Sequence, residues 1–131
     1  MFNQNGITKT SGLATKQILA TTDMQFSVGV VVANTSVVAN AAGKKIIPAG
    51  TAVGGDVSAL ATRSTVLSVT NTAALGAKSQ GILLHDVDVT AGNANATMLV
   101  FGFVDLAKLE TAAKPVTEAK AVLTKITFIG A

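Results

Sequence analysis

The sequence predicts a mainly β (α+β) fold: one small β-rich domain with one short helix, preceded by an N-terminal arm. Three observations predict it. Apolar, often β-branched residues alternate with polar ones in several short runs, the period-two signature of half-buried strands. Clusters of Gly, Asn and Pro punctuate those runs, as turns require. The strongest helical signals fall in one stretch, Asp105 to Ala121, and Pro115 divides it. At 131 residues the chain has the length of one domain. A domain of this size buries roughly two-thirds of its unfolded surface and needs no covalent staple.

Residues 1–22 are polar and small, Gly6 and Gly12 interrupt any regular element, and apolar residues occur as Phe2, Ile7, Leu13, Ile18 and Leu19. This composition predicts an arm over residues 1–22 and a β-rich domain over 23–131. Phe2, Ile7, Leu13 and Ile18 are the anchors by which such an arm docks onto a partner and orders on binding.

From Met24, the residues Phe26, Val28, Val30 and Val32 alternate with Gln25, Ser27 and Gly29, predicting the first strand. Val37-Val38 begins a second. Lys44 to Ile47 is a short strand stopped by Pro48, and Ile47-Pro48-Ala49-Gly50 reads as a turn. Gly54-Gly55-Asp56 marks a break. Arg63 to Thr70 holds one strand, and Asn71 to Ser79 is a loop or weak helical turn. Gly81 to Val89 and Thr97 to Val104 are strands joined through Thr90–Ala96 into a hairpin. The second of these is apolar on both faces, so it is buried on both sides or half-buried in an interface. Asp105 caps a helix to Ala113, Val116 to Ala121 extends helically after Pro115, and Lys125 to Ile129 closes the chain as a strand.

Charged residues make up 13% of the chain, about half the usual ~25%. Such a surface is either covered with uncharged polar groups or hidden in an assembly. With no cysteine there is no disulfide scaffold and no thiolate metal site. Apolar runs such as Val28–Ala33 fall far short of the ~20 residues of a spanning helix. The N-terminus lacks the basic start and apolar run of a signal peptide, so the expectation is a protein made in a cytoplasm, away from membranes. The formal charge of +3 comes from scattered lysines and one arginine, Arg63, with no aromatic residues interleaved. No nucleic-acid partner is expected from that pattern.

The supply of reactive groups is thin. His85 is the only histidine. In His85-Asp86-Val87-Asp88, strand alternation sends the imidazole to one face and both carboxylates to the other. No Gly-x-Ser-x-Gly elbow is present. A calcium loop counted from Asp86 would need glycine and glutamate where Ala91 and Thr97 stand. Gly50, Gly54 and Gly55 lack the spacing of a phosphate-binding loop. The expectation is a protein that is not an enzyme, with no catalytic, cofactor or metal site, whose function is to present a surface.

The segments Ile47-Pro48-Ala49-Gly50-Thr51, Gly81-Ile82-Leu83, Thr97 to Val104, Asp105 to Ala121 and Lys125 to Ile129 together resemble the head decoration proteins of tailed bacteriophages, the lambda-like capsid-stabilising family. The resemblance spans residues 44–131. The chain is also similar to head fibre proteins from phages of Gram-positive hosts. It departs from some relatives in lacking tryptophan and tyrosine. The resemblance implies a β-tulip-like domain that binds the major capsid protein on the outer surface of the expanded shell. There it sits as a homotrimer at local threefold positions, with an N-terminal arm that orders on the shell. It places the protein in the virion. Phe101, Phe103 and Leu106 are then expected in the core or the trimer interface. The alternative expectation is a head fibre or surface adhesin module that binds host or environmental ligands.

Overall fold

In the computed structural model, which describes residues 18–20, 25–35 and 37–130, the first alternating run forms β1 (Phe26–Val32). It is followed by β2 (Ile46–Ile47), β3 (Ala52–Gly54), β4 (Val66–Val69), β5 (Ser79–Leu83), β6 (Val87–Asp88) and β7 (Ala94–Asp105). A six-residue helix, α1 (Thr117–Val122), and a last strand, β8 (Ile126–Ile129), complete the order. Short 3-10 turns occupy Gly76–Lys78, Leu106–Lys108 and Thr111–Ala113.

Five strands close into a barrel in the order β1-β4-β3-β5-β7, with β7 returning antiparallel to β1. Closure pairs most strand edges within the ring. The β1–β4 contact is the one parallel pairing in the ring and spans only Val31↔Val66 and Val32↔Leu67. The inward residues of these strands, Val30, Val32, Val53, Leu67, Leu83 and Met98, fill the barrel. The β2–β6 pair adds Ile47 and Val87 to the same core. At Gly81, β5 passes close against β7: a Cβ there would strike the Leu99 carbonyl oxygen and the Met98 side chain. Only glycine permits that approach.

A second core lies on the outer face of β3, β5 and β7. Ala52, Ile82 and Leu99 point outward there and are covered by Leu106, Leu109, Ala119, Leu123 and Ile126 from the C-terminal segment. The strand β7 is long enough to serve both cores. Its first part pairs with β1 and β5, while Gly102–Asp105 runs beyond the barrel and pairs in parallel with β8. The registers Phe26↔Phe101 and Ser27↔Leu99 skip one residue of β7, a bulge that reverses which side chains face which way. Val104 therefore joins Leu99 in the second core.

Asn71 ties the C-terminal segment to the barrel. Its Nδ2 donates to the Lys114 carbonyl at 3.0 Å, and its Oδ1 accepts from the Val116 N–H at 2.8 Å. Pro115, between them, is buried. Asn71→Ala is expected to cost about 1–3 kcal/mol, because it orphans part-buried backbone groups. Urea unfolding checks this, and an unchanged midpoint would show that water replaces both bonds.

Several sequence expectations are corrected. Val37-Val38 forms no strand, and Val38 is 85% exposed. Gly81–Val89 is not one strand: the chain turns at Leu84–Asp86, where the Asp86 carboxylate accepts the Ala49 N–H at 2.7 Å, and Val87–Asp88 pairs with β2 instead of β7. The stretch Asp105–Ala113 is not an α-helix but two 3-10 turns, although Asp105 does cap the first by accepting from the Ala107 N–H. Ile18, expected among the docking anchors of the arm, is fully buried in the second core with Leu19. Phe2, Ile7 and Leu13 lie outside the described residues.

Candidate functional site

The reactive groups do not assemble. His85 is exposed in the turn between β5 and β6. Asp88 sits on β6, where the side chain and backbone N–H of Thr90 hold its carboxyl below the usual carboxylate range. Thr90 in turn accepts the Lys45 N–H at 2.9 Å. These bonds shape the β2–β6 corner. Among the described residues, no group of three or more His, Asp or Glu side chains is placed to hold a metal ion, and no helix is long and apolar enough to cross a membrane.

The feature that stands out is apolar and aromatic. Val104 and Phe128 face the second core. Alternation then sends Phe101 and Phe103 of β7, and Thr127 and Ile129 of β8, to the opposite face of the sheet. The pairings Phe103↔Thr127 and Asp105↔Ile129 keep these residues side by side. Across the other edge of β7, Phe26 lies opposite Phe101, within cross-strand contact range. No element of the described structure packs on this face. Phe26 is 54% exposed, Phe101 39% and Ile129 44%, and Phe103 is half-buried. At its outer end stands Asp105, whose carboxylate is engaged by the Ala107 N–H.

Of the three residues expected in the core or an interface, Leu106 is buried in the second core, whereas Phe101 and Phe103 are on this open face. Phe101 is thus not a core residue. Sequence reasoning missed Phe26 and Ile129 as members of the same face. Only the long-range pairing of β1 and β8 with β7 brings them together, and no local pattern reports it. Rows of large apolar groups facing solvent are a feature that interaction surfaces share.

No family model and no curated protein matches the chain.

Proposed function

We propose that this protein is a structural virion protein: a capsid decoration protein that binds the outer surface of an expanded phage shell and stabilises it. The observation that carries the reading is the aromatic face formed by Phe26, Phe101, Phe103 and Ile129, on which no other described element packs. It accompanies a charged fraction of 13% and the likeness of residues 44–131 to the lambda-like decoration family. In this reading the protein acts as a homotrimer at local threefold positions, and the face is covered in the assembly. The finer architecture is read as β-tulip-like. Residues of the 1–22 arm, Phe2, Ile7 and Leu13 among them, reach the major capsid protein. Ile18 is excluded from that role because it belongs to the second core.

The energetics suit the role. A ligand that binds only the intact shell stabilises it by mass action. Many identical sites, each engaged through three copies, turn modest contacts into strong retention. A surface with few charges avoids burying unpaired ones, which is costly.

Expanded shells lacking the protein are expected to lose integrity at lower temperature or chelator concentration than decorated shells, and added protein is expected to restore the resistance. Restoration failing at saturating protein would overturn the proposal. A glycan- or cell-binding signal from free protein in place of shell binding would favour the head-fibre reading.

A further inference from the structure

The barrel is closed least well at the β1–β4 seam. Pairing with β4 begins only at Val31, so Phe26–Val30 has a strand partner on one side alone. The edge is oriented for bonding. The Ala33 N–H donates to the Leu67 carbonyl at 2.7 Å, which turns the odd-numbered residues of β1 toward the β4 side. Alternation carries the same orientation back to Gly29 and Ser27. Their N–H and C=O groups therefore point away from β7, to where no described strand lies.

Opposite this edge stands the loop before β4. Between them is a groove of about 250 Å³ lined by Phe26, Val28, Gly29, Ala59, Leu60 and Arg63. At Gly29 there is open space where a side chain would stand. The far wall is held in place. Gln80 accepts the Ala59 N–H at 2.9 Å and donates to the Val57 and Gly55 carbonyls at 2.8 and 3.3 Å. The loop also closes on itself through bonds from the Ala61 and Thr62 N–H groups to the Ser58 carbonyl. Ala59 is buried in the barrel core, while Leu60 is 56% exposed. Arg63 is exposed and has no ion-pair partner among the described residues. A half-open strand edge, a fixed apolar wall and one unpaired guanidinium thus converge on a single groove.

We propose that this groove is a strand-addition site for an extended segment of a partner protein that carries a carboxylate beside apolar side chains. The main chain of the segment would bond to Ser27 and Gly29, its apolar side chain would pack on Phe26, Val28 and Leu60, and its carboxylate would meet Arg63. Strand addition of this kind draws affinity from backbone bonds and specificity from alternate side chains, and the pre-formed wall lowers the ordering cost. Charge selects the occupant. The chain's own residues 1–17 carry Lys9 and Lys16 and no acidic residue, so they repel Arg63 where an acidic segment is attracted; Asp23 lies only three residues before Phe26, too short a stretch of chain to turn back and add a strand beside Ser27 and Gly29. Under the function proposed above, the partner is the shell protein, and the inference rests on that reading only for the partner's identity.

The test uses isotope-labelled full-length protein without shells, so its failure is distinct from a failure of shell binding. The probe is an acetylated, amidated hexapeptide, Ser-Val-Glu-Val-Thr-Ser, with Ser-Val-Lys-Val-Thr-Ser as its control. The Ser27 and Gly29 amides are expected to exchange readily with solvent in free protein and to slow by about tenfold or more on adding the glutamate peptide. The lysine peptide is expected to bind about fivefold more weakly. In Arg63→Glu, an exposed change that leaves the core intact, the preference is expected to reverse. The proposal is overturned by equal binding of the two peptides, by no binding up to about 1 mM, or by Ser27 and Gly29 amides already protected in free protein. That last result would show the groove covered by the chain itself or by a second copy.

Discussion

Leu99→Ala is expected to destabilise the protein by about 2–5 kcal/mol, whereas Phe101→Ala, two positions along the same strand, is expected to cost less than about 1 kcal/mol. A regular strand would give both side chains one environment. Here the bulge between the Ser27↔Leu99 and Phe26↔Phe101 pairs separates them. Leu99 is fully buried among Ile82, Val104 and Leu106 in the second core, so truncation leaves a cavity that rigid sheet and helix cannot fill. Phe101 loses only partial burial and its cross-strand partner Phe26, a pairing worth about 0.2–1 kcal/mol. Urea midpoints of the two variants measure the contrast. Equal losses would mean that the aromatic face is covered within the single chain, and the proposed interface would lose its basis.

Ile18→Ala is the second large expected effect, again about 2–5 kcal/mol. Ile18 and Leu19 lie beside the outer end of β7, where the Ala20 N–H donates to the Phe103 carbonyl at 2.9 Å and the Asp105 N–H donates to the Ile18 carbonyl at 3.0 Å. Both side chains enter the second core. The Lys108 ammonium reaches the Leu19 carbonyl at 3.4 Å. This short segment thus acts as a strand for the part of β7 that extends past the barrel. A loss below about 0.5 kcal/mol in thermal or urea unfolding would show that the segment is dispensable to the fold.

These two residues also show how far the sequence could be read. The strands with sustained alternation, β1 and β7, were legible, as were the terminal strand and the Asp105 cap, because each is signalled within a few residues. The three-residue β3 was not: Ala52-Val53-Gly54 is too short to show a period. The 3-10 turns after Asp105 share the three-residue spacing of Leu106 and Leu109 with a helix, and eclipsed i, i+3 packing against one core favours the tighter form. Ile18 carried no signal that separates it from Phe2 or Ile7, since its burial depends on β7, some 85 residues away in sequence. Barrel closure by β1 and β7, the bulge and the joining of Phe26 to Phe101 are likewise non-local. The low charge pointed to a covered surface, and alternation told nothing of which face that surface is.

The most direct test of the proposed function is co-sedimentation of purified protein with expanded shells of its own phage, comparing wild type with the double variant Phe26→Ser, Phe101→Ser. Both are expected to fold, since neither side chain is part of a core. The account predicts that wild type pellets with the shells to a saturating level, while the double variant stays in the supernatant. Wild type that stays in the supernatant with the variant would contradict it.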